Sequence, residues 1–232
     1  MFMTSDKTNL SNKSKTNYHN LQPLISIKEL KINRLENRIL KRIFDLIFSL
    51  LVILFLLSWL TPILFILIKI ESKGPVFFKH IRQGKDFKEF ECYKFRSMKY
   101  YPDSKINYNS KLVTTKLGKF LRKTSIDELP QFINVFKGHM SVVGPRPHMI
   151  SFNNEYFKQV DKNNFIYRHS VKPGVSGLAQ VKGYRGEVKK KEDIINRIKY
   201  DLFYIENWSF FLDLKIILLT IYNIFKGDEN AY

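Results

Sequence analysis

Two adjacent carboxylates, Asp127 and Glu128, lie in the stretch RKTSIDELPQ at residues 122–131, inside a strongly basic part of the chain. The basic residues that precede them within a dozen positions are Lys116, Lys119, Arg122 and Lys123. A local structural role would explain the pair, because Ser125 and Glu128 fit a capping box at a helix start. Alternatively, Asp127 is the N-cap residue and Pro130 lies in the first turn, where its missing N–H costs little.

The second interpretation of the pair is phosphoryl-transfer chemistry. A carboxylate can be the nucleophile that takes a phosphoryl group, which divides one difficult step into two easier ones. Mg²⁺ commonly binds one or two carboxylates together with substrate phosphate oxygens, so Asp127 and Glu128 are also candidate metal ligands. Basic side chains would then neutralise the phosphate charge. The candidates for this role are Arg122, Arg146 in GPRP, and Lys94 and Arg96 in YKFRSM.

The composition indicates what kind of partner this site would serve. The chain has 232 residues, of which 44% are hydrophobic, enough for one main domain with a core. Its formal net charge of +18 predicts an anionic partner: nucleic acid, an anionic membrane or a phosphorylated substrate. Because no helix-turn-helix, zinc or RNA-recognition signature accompanies the charge, we expect no nucleic acid. The single cysteine, Cys92, excludes an internal disulfide and favours a reducing compartment.

Residues 46–68 carry no charge and exceed the roughly 18 apolar residues that mark a membrane helix. A crossing helix should have asymmetric flanks, because basic loops stay on the cytoplasmic side. Here residues 28–42 and residues 69–88 each carry six basic side chains. Thr61 and Pro62 interrupt the segment, and proline kinks helices. Two alternatives stay open: a helix that bends at Pro62 and returns to the same membrane face, or a spanning helix with a proline kink.

The remaining sequence predicts a mixed domain. Two aromatic-rich runs around a Gly-containing turn predict a β-hairpin within residues 75–95. Helices are predicted at residues 113–123, 130–137, 147–160, 192–208 and 210–225. The last helix is very apolar and follows Trp208, a residue that favours the bilayer interface, so an interfacial helix and a plain core helix both stay open. Residues 1–37 lack the apolar region of a signal peptide and predict a polar tail.

Four motifs carry a resemblance to a known family: YKFRSM, RKTSIDELPQFINVFKGHMSVVGPRPH, RHSVKPGVSGLAQVKGYRGE and YDLFYIENWSFFLDLKIILLTI. In this order they resemble the bacterial sugar transferases that act on polyprenyl phosphate, the monotopic phosphoglycosyl transferases. The match covers about residues 38–226. The segment KGYRGE and the ending IFKGDENAY resemble the undecaprenyl-phosphate glucose phosphotransferases of exopolysaccharide synthesis.

The resemblance implies transfer of a sugar-1-phosphate from a UDP-sugar to undecaprenyl phosphate, with release of UMP. This is the first membrane step of a bacterial surface polysaccharide or glycoconjugate. In the family, the residue matching Asp127 is the nucleophile, and the residue matching Glu128 supports Mg²⁺ and catalysis. Further site residues implied by the match are Lys94, Arg122, Arg146, a carboxylate at Asp201, and Arg168 in the segment RHSVKPG as a contact of the UDP group.

The resemblance also implies an architecture and a location. The break of the family's re-entrant helix corresponds to Thr61-Pro62, which favours the first topology. The expected fold is α/β and membrane-associated, mostly helical with a short β-hairpin, one re-entrant membrane helix and amphipathic interfacial helices. The expected location is the cytosolic face of the bacterial inner membrane. The predicted segments are a polar tail at 1–37, the re-entrant helix at 38–75, the cytosolic catalytic domain at 76–226 and a C-terminal tail at 227–232.

The sequence departs from the family in ways that leave the sugar open. Larger members carry several spanning helices before this domain, whereas residues 1–37 here predict only a tail. Leu178 and Lys182 stand where the glucose branch often has Trp and Asn. An acetamido sugar is therefore the alternative to glucose or galactose, and a non-catalytic membrane scaffold is the alternative to an enzyme. The lipid bilayer is an expected partner, and a homo-oligomer and downstream glycosyltransferases stay open.

Overall fold

The computed structural model describes residues 30–100, 114–150, 153, 157, 159–186 and 190–227. The helices in this part of the chain are α1 Leu35–Val52, α2 Ser58–Glu71, α3 Lys116–Thr124, α4 Gln131–Phe136, α5 Lys162–Arg168, α6 Leu178–Val181, α7 Lys191–Glu206 and α8 Phe210–Lys226. The strands are β1 Phe77–Gln83, β2 Glu89–Phe95, β3 Ser141–Val143 and β4 Gly174–Ser176. The mostly helical fold with a short hairpin is confirmed. Within the predicted helix at 147–160, residues 150, 153, 157 and 159 are helical, and residues 151, 152, 154–156 and 158 lie outside the described residues. Most of the two predicted tails also lie outside them.

One long apolar helix dominates the N-terminal part of the described chain. α1 and α2 are joined by a π-helical turn, Ile53–Leu57, so that the helix runs without interruption over Leu35–Glu71. Its 37 residues make it about 55 Å long at 1.5 Å per residue, well beyond a hydrocarbon core of about 30 Å. By length and composition it is able to cross a membrane. The re-entrant topology stays a prediction.

The irregular turn of this helix lies before the predicted break. α2 continues through Thr61 and Pro62, while the π turn ends where Ser58 N donates to Ile53 O. Ser58 Oγ donates to Leu54 O at 2.5 Å, and Trp59 Nε1 donates to Phe55 O at 2.8 Å. A π turn leaves some backbone carbonyls of the helix without their usual hydrogen bonds, and these side chains bond them. In an apolar environment, a carbonyl without a hydrogen bond is costly.

Polar bonds, of which those of Asp45 are buried, hold α1 against the rest of the molecule. Asp45 Oδ1 accepts hydrogen bonds from Ser141 Oγ at 2.9 Å and from Val142 N at 2.8 Å. Arg42 donates to two backbone carbonyls at the end of α4, at 2.7 and 2.8 Å, and Lys41 Nζ lies 2.7 Å from Asp213 Oδ2. Because these contacts involve α4, β3 and α8, the domain that follows the apolar helix has a fixed orientation relative to it.

The predicted hairpin is confirmed as an antiparallel pair, with register from Phe77 opposite Phe95 to Gln83 opposite Glu89. A second pair was not predicted: β3 and β4 run parallel, with Ser141 opposite Gly174. Close backbone contact at this crossing requires glycine, because a Cβ added to Gly174 would lie 2.0 Å from Gly144 N. The pair brings GPRP beside the segment that follows α5.

Helix α8 has one face on the core and one face exposed. Asp213 and Ile216 are buried, whereas Phe211 and Phe225 are 81% and 87% exposed. Trp208 is not an interfacial anchor: it is 3% exposed, and its Nε1 donates to Asp213 Oδ2 at 3.2 Å. The exposed apolar face has the character of an interfacial helix, and the buried face that of a core helix, so each alternative describes one side of α8.

Replacing Asp45 by Ala should destabilise the fold, because Ser141 Oγ and Val142 N would lose their buried acceptor. We expect the free energy of unfolding to fall by roughly 2–4 kcal/mol, which corresponds to a Tm lower by about 5–12 °C. Thermal unfolding in detergent measures this. Glu36→Ala, at an exposed position of the same helix, is the matched control and should move Tm by about 2 °C at most. Equal shifts would contradict the anchoring role.

Candidate functional site

The acidic pair lies on a short turn between two helices. α3 ends at Thr124, Ser125 adopts a left-handed conformation with φ of 63°, and a 3₁₀ turn over Ile126–Glu128 follows. Neither capping role is present, since no side chain caps this turn or α4. Thr115 is the residue that caps α3, through a 2.9 Å bond from Gly118 N. The local structural explanation of Asp127 and Glu128 is therefore wrong, and their burial requires another one.

Cations from three separate segments surround Glu128. Lys94 Nζ, from β2, donates to Glu128 Oε1 at 2.6 Å. Arg146, from GPRP, donates through Nη2 to Oε1 at 2.8 Å and through Nη1 to Oε2 at 3.2 Å. Arg185 Nη2 lies 3.7 Å from Oε2. Burial alone would raise the pKa of Glu128, but the charges of Arg146 and Lys94 outweigh it and hold that pKa well below its ordinary value.

Asp127 has a different environment, although it is the neighbouring residue. Its Oδ2 lies 3.8 Å from Lys94 Nζ, too far for a hydrogen bond. Its Oδ1 is buried, and no donor among the described residues bonds to it. Burial raises the pKa of Asp127, helped by the charge of Glu128 and opposed by Lys94, Arg122 and Arg185. The pair thus consists of one ionised carboxylate that is paired with cations, Glu128, and one carboxylate with an oxygen that accepts no hydrogen bond from the residues described, Asp127.

A second layer of contacts holds the cationic loop in place. Arg168 Nε donates to Asp201 Oδ2 at 2.7 Å, and Arg168 Nη2 donates to the backbone oxygen of Arg146 at 2.5 Å. Arg82, from β1, donates to Pro147 O. Arg168 and Asp201 therefore fix the backbone of the residue that binds Glu128. Their predicted role as substrate contacts stays a prediction.

The structure separates the predicted cations into two groups. Lys94 and Arg146 contact Glu128, while Arg122 bonds Ser97 Oγ at 2.9 Å and its charge acts on Asp127. Arg96 is placed elsewhere: it donates to the carbonyls of Ser72 and Lys73, each at 2.5 Å, where the apolar helix ends. These bonds give Arg96 the role of a helix C-terminal cap.

Arg185 is a site residue that the sequence did not single out. It lies beside Glu128, and its charge favours a lower pKa for both carboxylates, although burial raises the pKa of Asp127 overall. The only signal for it was its position inside the quoted motif KGYRGE. An arginine four residues after a four-residue helix has no pattern that predicts its direction, so its place in the site depends on the tertiary structure.

The donor set fits Mg²⁺ at one carboxylate. The Asp127 carboxylate, one oxygen of which has no hydrogen-bond donor in the described part of the chain, offers hard oxygen ligands, and Mg²⁺ commonly takes one or two carboxylates with substrate phosphate oxygens. Both Glu128 oxygens already accept hydrogen bonds or face cations, so Asp127 fits a metal better than Glu128 does. No group of three or more His, Cys, Asp or Glu side chains suited to a metal ion occurs among the residues that the structure describes. Substrate oxygens would complete the shell.

Buried carboxylates ringed by cations, in a chain that also has a long apolar helix, are the arrangement expected of a protein that handles phosphates at a membrane. The profile of the family described as "Bacterial sugar transferase" matches residues 36–227, and the chain belongs to this family.

Named relatives show how far the similarity reaches. The chain is 49% identical over 185 residues to the UDP-glucose:undecaprenyl-phosphate glucose-1-phosphate transferase of Klebsiella pneumoniae, covering 76% of this chain and 39% of the relative. The Escherichia coli (strain K12) protein of the same name is 44% identical over 77% of this chain and 38% of its own. A UDP-N-acetylgalactosamine-undecaprenyl-phosphate N-acetylgalactosaminephosphotransferase of Aeromonas hydrophila is 41% identical over 70% and 38%. The chain thus spans about two fifths of the length of these relatives.

The unequal environments predict opposite effects of two similar substitutions. A raised pKa of Asp127 means that its ionised form is disfavoured in the folded state, so this group costs stability as pH rises above the unfolded pKa. Asp127→Asn should therefore leave Tm at pH 7.5 equal or higher. Glu128→Gln leaves Lys94 and Arg146 without their buried counter-charge, and should cost about 3 kcal/mol, or roughly 6–12 °C in Tm.

Thermal unfolding of both variants at pH 7.5 provides the comparison. Asp127→Asn serves as the control for Glu128→Gln, because both substitutions replace one carboxylate by its amide in the same turn. A lower Tm for Asp127→Asn than for Glu128→Gln would show that the division of charge between the two carboxylates is wrong.

Proposed function

We propose that this protein transfers a sugar-1-phosphate from a UDP-sugar to undecaprenyl phosphate, giving undecaprenyl-diphosphate-sugar and UMP. It would carry out the first membrane step in making a bacterial surface polysaccharide or glycoconjugate. The observation that carries the proposal is the buried Asp127 carboxylate, whose Oδ1 is unused while cations neutralise its neighbour. Family membership and the names of relatives support the substrate class.

The chemistry assigned to Asp127 is covalent. Its Oδ1 attacks the phosphorus atom that bears the sugar, forming an acyl phosphate as the bond between that phosphorus and the UMP oxygen breaks. UMP leaves with the bonding electron pair. An oxygen of undecaprenyl phosphate then attacks the same phosphorus, and the Asp127 carboxylate departs in its original form. This scheme needs only one carboxylate that reacts. It therefore agrees with the pairing of Glu128 with Lys94 and Arg146, which leaves Asp127 as the nucleophile.

The cations around Asp127 and Glu128, the acidic dyad, have a defined task in this scheme. A carboxylate and a diphosphate repel each other. The positive charge near Asp127 must therefore be greater than the negative charge of the protein carboxylates, so that a surplus remains for the diphosphate. Lys94 is close to both carboxylates, at 2.6 Å from Glu128 and 3.8 Å from Asp127, so a small movement would let it follow the developing charge. Arg146 shares Glu128 Oε1 with Lys94, and Arg185 lies nearest Oε2. Mg²⁺ bound at Asp127 would supply further charge stabilisation to the phosphates.

The proposed location is the cytosolic face of the bacterial inner membrane. Two apolar surfaces support a membrane position: the helix over Leu35–Glu71 and the exposed face of α8. Similar basic flanks on both sides of the apolar segment support a re-entrant course, with both ends in the cytosol.

Glucose is the sugar that we propose first. The relatives named for glucose reach 49% and 44% identity, against 41% for the relative named for N-acetylgalactosamine. The differences are small, so an acetamido sugar is the second candidate. Purified protein incubated with undecaprenyl phosphate, Mg²⁺ and a panel of UDP-sugars distinguishes them by UMP release. No UMP from any UDP-sugar would favour the scaffold alternative.

We expect Asp127→Asn to abolish UMP release while the protein remains folded. Asn keeps the size of the side chain but has no anionic oxygen, so loss of the nucleophile should lower the rate at least a thousandfold. Incubation with UDP-sugar alone should give the wild-type chain a phospho-sugar adduct on the peptide that contains Asp127, detected by mass spectrometry.

Arg96→Gln provides the comparison for adduct formation, because Arg96 caps the apolar helix and should not be needed for the first transfer. The covalent scheme would be wrong if the wild-type protein turned over without ever forming the adduct and its kinetics required both substrates to be bound together. Direct transfer between the two substrates would then be the mechanism.

The pH dependence of the first step should report the pKa of Asp127. Only the ionised carboxylate attacks, so the rate falls as pH drops through this raised pKa, at a higher pH than for an ordinary aspartate. Arg185→Gln removes a charge that lowers this pKa, and should move the acid limb to still higher pH. Single-turnover UMP release without undecaprenyl phosphate measures it, since the titration of the acceptor then plays no part. An unchanged acid limb, compared with a Lys88→Gln control, would contradict the assignment.

A further inference from the structure

A cavity of about 400 Å³ lies beside the first turns of α1, at a distance along the chain from the acidic pair. Its walls are α1, β3 and the loop before β4. None of the lining residues is Asp127, Glu128 or a cation that contacts them. The cavity is therefore separate from the acidic pair and from the cations that contact it.

Positive charge is concentrated in this cavity. Arg38, Arg42, Lys85 and Lys172 all line it. Arg42 Nη2 and Lys172 Nζ lie 3.4 and 3.6 Å from the position that a Cβ on Gly138 would occupy, so the two cations are close together. Burial lowers the pKa of Lys172, and the charges of Arg42, Lys85 and Arg38 lower it further. Like charges held together in a half-buried place are stabilised by an anionic ligand.

The one carboxylate that lines the cavity does not provide this anion. Asp45 opposes the lowering of the Lys172 pKa, but its Oδ1 is engaged by Ser141 Oγ and Val142 N. The side chain of Asp45 serves the anchoring of α1 to β3. The positive charge of the cavity thus exceeds the negative charge of its lining.

The hairpin tip holds one of these cations in place. Asp86 N donates to His169 O at 2.8 Å, and the Phe87 ring stacks on the His169 ring with a centroid distance of 4.3 Å. Asp86 and Phe87 have positive φ values of 53° and 57°, conformations that are costly for residues other than glycine. Contacts with His169 retain this strained turn, and they keep Lys85 beside the segment that carries Lys172.

An apolar stripe leads from the cavity along α1. Leu35, Ile39, Ile43 and Ile47 follow one another at intervals of four residues and are 68%, 50%, 50% and 56% exposed. Residues spaced by four lie on the same face of a helix, and the first three of these line the cavity. The stripe continues into the uncharged segment 46–68. A ligand for this surface needs an anionic head and an apolar tail.

We propose that the cavity binds the phosphate head group of an anionic phospholipid, with an acyl chain along Leu35, Ile39, Ile43 and Ile47. Such a lipid would hold the N-terminal end of the apolar helix at a fixed depth in an anionic leaflet, where each basic residue near the surface adds attraction. The occupant is a lipid that does not react, because the cavity lacks the dyad.

Native mass spectrometry of the full chain in detergent tests the proposal. The probes are phosphatidylglycerol, phosphatidylcholine, undecaprenyl phosphate and inorganic phosphate, each added alone. We expect one phosphatidylglycerol to be retained, phosphatidylcholine to bind weakly and inorganic phosphate to be lost. Replacing both Lys85 and Lys172 by Gln should weaken phosphatidylglycerol binding roughly thirtyfold. Ile39→Gln, which interrupts the stripe, should also weaken it.

A charge-matched control is the double variant Lys199→Gln with Lys226→Gln, at exposed positions of α7 and α8. It should bind phosphatidylglycerol as the unmodified chain does. The proposal would be overturned if phosphatidylcholine bound as well as phosphatidylglycerol, or if the two double variants lost the same amount of phosphatidylglycerol binding. A preference for undecaprenyl phosphate that depends on Lys85 and Lys172 would also overturn it. Because the readout is lipid retention, the result is independent of whether UMP release supports the proposed function.

Discussion

The burial of Glu128 is the constraint on which the site depends. An ionised carboxylate removed from water is strongly destabilising unless cations and hydrogen bonds compensate for it. Lys94 and Arg146 provide this compensation, and they come from a hairpin strand and from the loop after β3. Each needs its own support. Arg168, itself paired with Asp201, holds the Arg146 backbone, so the helix α7 contributes to a charge balance centred on a turn elsewhere in the chain.

The same constraint makes the two carboxylates unequal. Once Lys94 and Arg146 are committed to Glu128, Asp127 is left with a more distant ammonium, the charges of Arg122 and Arg185, and an oxygen that accepts no hydrogen bond from any described residue. A residue in this state is more costly to the fold and more available to a ligand than its neighbour, which is the usual relation between stability and function at a reactive site. Glu128 acts as the fixed negative centre that keeps the cations in position, and Asp127 is the carboxylate to which the proposed reaction assigns the attack.

The apolar helix and the site are parts of one rigid arrangement. Asp45 and Lys41 connect α1 to β3 and α8 through buried polar bonds, and Arg96 caps the far end of the same helix. A helix with polar bonds at both ends cannot rotate freely relative to the domain beside it. Its position in a bilayer would therefore also determine how far the dyad lies from the membrane surface, and a lipid bound at the base of α1 would reinforce that depth.

The sequence by itself determined the elements with strong periodic or compositional signals: the long apolar helix, the hairpin and the helices α7 and α8. It also singled out Asp127 and Glu128 as a candidate catalytic pair, since two carboxylates in a basic stretch are visible without a structure. It could not identify β3 and β4, because three-residue strands show no periodicity and their partners are 33 residues apart. Those strands decide where Arg146 points, and only the tertiary structure could decide it.

The roles of individual cations were likewise beyond the sequence. Arg96 and Lys94 are two residues apart in YKFRSM, yet one caps the apolar helix and the other binds Glu128. Trp208 looked like an interfacial residue but is buried against Asp213. Charge and amphipathic character are properties of a residue type, so the sequence reveals them. Which partner a charge finds depends on long-range packing, because burial makes pairing obligatory only after the chain has folded.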